Sequence, residues 1–164
     1  VMYGDEFILT NPLVAESFTQ GSIFGVSSAD GVNDRFGQAL AAGDFDRDGA
    51  FDLAVGQPGD DLGNTDRGGM TILMGSPSGG LYERFRFLSA GIAGIPPEAQ
   101  SSSDMGHALA AGDFDDDGYA DLAIGIPYRD EVFVDVGSVT VLYGALFADG
   151  FESNSTAYWS ASTP

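Results

Sequence analysis

Residues Asp44-Phe45-Asp46-Arg47-Asp48-Gly49-Ala50-Phe51-Asp52 return sixty-nine positions later as Asp113-Phe114-Asp115-Asp116-Asp117-Gly118-Tyr119-Ala120-Asp121. In both copies carboxylates fall at loop positions 1, 3, 5 and 9, with glycine at position 6. Alternate side chains of such a turn point into one concavity, and the glycine permits the bend that aims the position-7 carbonyl inward. A hard cation such as Ca²⁺ requires an oxygen cage of this kind. An EF-hand is disfavoured, because its twelfth position carries a bidentate glutamate and here that position is Val55 or Ile124. Mg²⁺ fits less well, since it keeps several waters and avoids all-protein cages.

The repeat extends well beyond the acidic turn. Shifting the chain by 69 aligns Phe36 to Gly75 with Met105 to Gly144 without a gap, and more than half of those 40 pairs are identical. Periodicity of this length points to a solenoid, propeller or array, in which each unit stacks on a neighbour to bury its apolar face. A weaker echo links Gly80-Leu81-Tyr82-Glu83, running to Ser89-Ala90, with Gly150-Phe151-Glu152, running to Ser160-Ala161. Glu6 to Thr10 or Ala15 to Thr19 is the matching candidate before Phe36. The chain is therefore expected to be a single all-β repeat domain over 1–164, alternating leading strands with loop units. Unit 1 spans about 18–80, unit 2 about 81–149, and a C-terminal strand and tail 150–164.

Asp52-Leu53-Ala54-Val55 and Asp121-Leu122-Ala123-Ile124 are short apolar runs stopped by Gly-x-Pro. Met70 to Met74 and Ser138 to Tyr143 are rich in β-branched and large residues and end at Gly75 and Gly144. Short strands spaced by Gly, Pro and Asp turns indicate an all-β architecture. Ala39-Leu40-Ala41-Ala42 mimics a helix, but a run of four cut by Gly43 is too short for one.

At 164 residues, 43% hydrophobic and with 24 glycines, the chain is long and apolar enough for a β core. Its formal charge of −19, from 25 acids against 6 basic residues, argues against nucleic acid and anionic membranes as partners. Two bound Ca²⁺ would bring that charge to about −15. The absence of cysteine fits an extracellular protein braced by metal rather than disulfides. No transmembrane run is present, and the start at Val1 is read as a processed N-terminus with any signal peptide removed. Asn154-Ser155-Thr156 is a glycosylation sequon, without meaning in most bacterial proteins.

Phe36-Gly37, then Ala-Gly-Asp-Phe-Asp-x-Asp-Gly, then Asp52-Leu53-Ala54-Val55-Gly56-Gln57-Pro58 resembles the FG-GAP repeat. The second copy, Met105-Gly106 through Gly125-Ile126-Pro127, resembles it with Met in place of Phe. That repeat forms blades in the β-propellers of integrin α chains and of many secreted bacterial proteins. The resemblance implies Ca²⁺ in both loops. The ligands would be Asp44, Asp46, Asp48 and Asp52 with the Ala50 carbonyl, then Asp113, Asp115, Asp117 and Asp121 with the Tyr119 carbonyl. It also implies a metal of structural role. A propeller of this family has about seven four-stranded blades, so two units are incomplete as a closed ring. Phe147 to Ser153, with Trp159-Ser160 beyond, resembles a C-terminal signature of secreted proteobacterial proteins.

Little in the chain points to catalysis. His107 is the only histidine and occupies the slot that Gln38 holds in the other repeat, which reads as a surface or packing position. The best-placed carboxylates are committed to metal. The segments after each closing proline diverge, and Tyr128, Val132, Phe133 and Val134 could form an apolar patch for a partner subunit. Phe85, Phe87, Tyr158 and Trp159 read as packing residues. The first expectation is a non-enzymatic, calcium-stabilised extracellular structural protein that assembles with its own copies into a filament or ring through exposed blade edges. The alternative is an adhesion or ligand-binding module, part of a larger propeller, that meets a glycan or a cell-surface protein. A third class is an enzyme like the phospholipases that carry FG-GAP propellers, with its chemistry in a separate domain.

Overall fold

The computed structural model describes residues 16–25, 31–61, 67–81, 84–91, 95, 103–130 and 133–144. Two antiparallel sheets dominate. The first runs β1 (Leu40–Gly43), β2 (Asp52–Gln57), β3 (Gly69–Met74) and β4 (Arg84–Ser89) in that order, and the second runs β5 (Ala108–Gly112), β6 (Asp121–Ile126) and β7 (Ser138–Leu142). This is the expected all-β architecture of two blade-type units without ring closure. The alanine-rich runs are strands: Leu40 lies opposite Val55 and Gly43 opposite Asp52, with Ala108 to Gly112 repeating the register against Gly125 to Asp121.

One boundary differs from expectation. The strand expected to lead the second unit pairs instead with β3, Arg84 opposite Met74 and Ser89 opposite Gly69. The turn after β3, closed by the Gly79 N–H donating to the Ser76 carbonyl at 2.8 Å, returns the chain antiparallel. By hydrogen bonding the first sheet therefore reaches residue 89, past the boundary near 80. At the other end, Glu6 to Thr10 and Ala15 lie outside the described residues, and residues 16–19 form no strand. They lead into a one-turn helix, α1 (Gln20–Phe24). Thr19 caps it reciprocally: the Ser22 N–H donates to Thr19 Oγ1 at 3.1 Å, and the Thr19 N–H to Ser22 Oγ at 2.8 Å. Val132, Tyr158, Trp159, the sequon and the expected strand and tail over 150–164 also lie outside the described residues.

Strand alternation sends every second side chain to the same face. Met70, Ile72 and Met74 on β3, with Ala54 on β2, meet Leu122, Ile124 and Ile126 on β6 and Met105 ahead of β5, forming one core between the two sheets. Phe45 is buried there too, and Leu109 packs against it. The sheets approach closely where two glycines meet, because the Gly106 carbonyl occupies the space that a Cβ on Gly56 would need. The Met105 N–H donates to the Arg67 carbonyl at 3.2 Å, and Arg35 holds Asp104 through two 3.1 Å bonds.

α1 is tied to the opposite face of the first sheet. Gln20 and Gln57 both donate to Asp60 Oδ2 at 2.6 Å, while Thr71 Oγ1 donates to Gln57 Oε1 at 3.0 Å. All four side chains are buried, and their mutual bonds offset the cost of removing them from water.

Candidate metal centres

Each acidic turn joins the first two strands of its sheet: residues 44–51 connect β1 to β2, and 113–120 connect β5 to β6. The two turns share a backbone path. Position 4 is left-handed in both (Arg47 φ 59, Asp116 φ 61), and the position-6 glycines have φ 91 and 88. Glycine adopts that conformation at no steric cost, whereas Arg47 and Asp116 hold theirs against it.

Carboxylates accept the turn's own amides. In the first loop the Gly49 N–H donates to Asp44 Oδ2 at 3.1 Å, the Asp48 N–H to Asp46 Oδ1 at 3.2 Å and the Ala50 N–H to Asp48 Oδ1 at 2.8 Å. The second loop repeats the pattern, with Gly118 donating to Asp113 Oδ2 at 3.0 Å, Asp117 to Asp115 Oδ1 at 3.2 Å and Tyr119 to Asp117 Oδ1 at 2.8 Å. Position 9 acts from inside the sheet. Asp52 accepts from Phe45 N–H at 2.8 Å and from Gly75 N–H at 2.7 Å; Asp121 accepts from Phe114 N–H at 2.6 Å and Gly144 N–H at 2.7 Å. Each thus clasps its turn to the far end of the third strand.

The carboxylates of Asp44, Asp46 and Asp48 each bring an oxygen within 4.8 Å of the others, and so do those of Asp113, Asp115 and Asp121. Asp52 stands outside the first group and Asp117 outside the second, each engaged by backbone amides. Like charges this close favour protonation unless a cation intervenes. Burial raises the Asp52 carboxyl to about 6 against the two amide bonds, with the charges of Asp46 and Asp48 adding to the rise. The Asp115 carboxyl is also raised, by loss of hydration and then by the charge of Asp117. Asp44 Oδ1 is buried with no hydrogen-bond partner. A carboxylate oxygen shielded from water and left unpartnered is costly, and a cation in the turn would satisfy it. The residues present therefore fit a hard divalent ion.

Sequence reasoning missed the long-range supports. Gly75 and Gly144 left only a faint signal, as glycines 23 residues beyond each position-9 aspartate. Arg84, which pairs with Asp46 Oδ2 at 3.2 Å from across the sheet, left none. His107 lies at the sheet junction with Nδ1 3.8 Å from Asp104. Among the described residues no helix is long and apolar enough to cross a membrane.

Sheets stacked face to face, each with an aspartate-lined turn between its first two strands, define a blade-repeat protein. The FG-GAP repeat family's sequence profile matches residues 36–73 and 105–142, and the chain belongs to that family, with two copies of its repeat. It is similar to integrin alpha-PS2 of Drosophila melanogaster, 32% identical over 126 residues that make up 73% of this chain and 8% of that protein. It is also similar to the phosphatidylinositol-glycan-specific phospholipase D of Rattus norvegicus, 36% identical over 113 residues, 68% of this chain and 13% of that one. The chain thus spans only a small part of the length of these relatives.

Proposed function

We propose that the chain is a calcium-braced, non-enzymatic stretch of a larger extracellular FG-GAP propeller serving adhesion or ligand binding. The observation that carries this reading is the fate of one sheet face in the two repeats. Met70, Ile72 and Met74 are 0%, 0% and 6% exposed, covered by the second sheet. Their counterparts Val139, Val141 and Tyr143 are 69%, 36% and 47% exposed. The same strand positions are core in one unit and bare in the next, so the second sheet offers the surface that a following blade covers. Phe133, Val134 and Val136, which precede β7 in the chain, are exposed as well.

Calcium is assigned to both loops, on Asp44, Asp46, Asp48, Asp52 and the Ala50 carbonyl, and on Asp113, Asp115, Asp117, Asp121 and the Tyr119 carbonyl. The gathered carboxylates and the unpartnered Asp44 Oδ1 support this. The ion cross-links the turn, holding the first two strands of each blade in register. Similarity to an integrin supports an adhesive, extracellular role. The stretch shared with the phospholipase is 13% of that enzyme, and no catalytic role is carried over from it.

The bare face also supports a second reading, in which another copy of the chain covers it and a filament or ring results. Gln20 is hydrogen-bonded on the opposite face of the first sheet, where either reading would seat a preceding unit. The match to small parts of two much longer relatives puts the first reading ahead. Differential scanning calorimetry with calcium and with EDTA tests the metal: a ligand bound only to the native state stabilises by about 4 kcal/mol at a thousandfold excess over Kd. Asp48→Ala with Asp117→Ala should reproduce the loss without chelator, and unchanged melting would remove calcium from the reading. Sedimentation velocity over a concentration series separates the two assemblies, defined polymers favouring the second and a persistent monomer the first.

A further inference from the structure

The two acidic turns touch each other, and the contact falls where they differ. Among nine loop positions only three are unlike between the copies: Arg47 against Asp116, Ala50 against Tyr119, and Phe51 against Ala120. Three of those six residues build the junction. The Arg47 guanidinium lies over the Tyr119 ring, 5.0 Å from its centroid. The Ala120 N–H donates to the Asp44 carbonyl at 3.2 Å.

That second bond involves a single peptide unit with two ends. The Ala120 N–H and the Tyr119 carbonyl belong to the same planar group, and no described peptide bond is cis. In a trans peptide the N–H and C=O point in opposite directions. Aiming the N–H at Asp44, position 1 of the first turn, turns the Tyr119 carbonyl away from that turn. The Tyr119 carbonyl is the position-7 oxygen of the second turn. A cation drawing on it would polarise the peptide and strengthen the N–H as a donor. Asp44 is in turn the residue whose Oδ1 is buried without a partner.

We infer that the two cation sites are positively coupled through this shared peptide, with Arg47 on Tyr119 as a positioning contact that holds the turns together. An ion on the Tyr119 carbonyl would fix the peptide that holds the Asp44 backbone, and an ion on the Asp44 carboxylate would fix the acceptor of that peptide, so filling one site raises the affinity of its neighbour. The inference rests on the calcium reading above. Linkage requires the effect to be reciprocal, and couplings of this kind commonly amount to about fivefold or more in affinity.

Isothermal titration calorimetry of Ca²⁺ into ion-stripped protein tests it. Asp44→Asn with Asp48→Asn disables the first turn while amide oxygens keep its hydrogen bonds. The second site should then bind roughly fivefold or more weakly than in the native protein. Asp113→Asn with Asp117→Asn should weaken the first site by the same factor. Circular dichroism at saturating Ca²⁺ checks that both variants keep their strands. Arg47→Ala with Tyr119→Ala should retain two ions but shrink the coupling; undiminished coupling would overturn the role given to that pair. Unchanged affinity at the remaining site in both loop variants, or tighter binding there, overturns the coupling while leaving calcium in place. Native protein that takes up no Ca²⁺ removes both readings together.

Discussion

Asp52 is held by two amides and still resists ionisation, which makes it a gauge of the proposed cation. Its carboxyl is raised to about 6, first by burial and then by Asp46 and Asp48. A carboxyl whose folded value exceeds its unfolded one binds its proton more tightly in the native state. Its contribution is fully present below the ordinary value of about 4 and is lost as pH rises through about 6. Chelated protein should therefore melt higher at pH 5 than at pH 7. Calcium-loaded protein should lose that trend, because the ion stabilises the charged form. Melting curves at the two pH values decide it, and chelated protein that gains stability toward pH 7 would contradict the account. The aspartates themselves were legible in the sequence because their spacing is local. The partners of Asp52 were not, since Gly75 reaches it only after two strands have folded back.

Strand positions could be read for a similar reason: apolar runs, terminal glycines and a 69-residue echo are all features of the linear chain. Their pairing partners were harder. β4 looked like the opening of a unit because its motif precedes the second repeat, yet its hydrogen bonds go backwards to β3. Of the two N-terminal candidates, Ala15 to Thr19 gives way to a lead into α1, because a one-turn helix leaves almost no periodic signal. What fixes α1 is a buried polar cluster instead of an apolar stripe, and the second repeat cannot form one, having Ile126 and Arg129 where the first has Gln57 and Asp60. Gln57→Ala should strip Thr71 and Asp60 of a shared partner and cost about 2 kcal/mol. Urea unfolding measures that loss; a change under half of it would mean that water replaces the amide without penalty.

Taken together, the two sheets form an asymmetric body with α1 on one flank and a bare strand surface on the other. Matched truncations on equivalent positions expose this asymmetry. Ile72→Ala removes buried atoms from the inter-sheet core and should cost about 3 kcal/mol. Val141→Ala, at the same position one repeat later, should cost under about 0.5 kcal/mol in the isolated chain. Equal losses would mean that something already covers β7. The sequence could not foretell which face would be bare, because Met70 and Val139 are both ordinary strand residues. Only the stacking of one sheet on the next tells them apart.

Arg35 and Asp104 are themselves repeat counterparts, both with left-handed backbone (φ 57 and 53), and they grip one another across the junction. A seam in which every unit clasps its own equivalent cannot be built from duplicates. Two first-type units side by side would set guanidinium against guanidinium, and two second-type units carboxylate against carboxylate. Arg35→Asp or Asp104→Arg alone should lower stability by about 1 kcal/mol, and the double exchange should restore most of it. Failure of the exchange to rescue either single change would show the pair to be incidental. The charge at this one position then serves as an address between these two units: the first presents a guanidinium and the second the carboxylate that answers it.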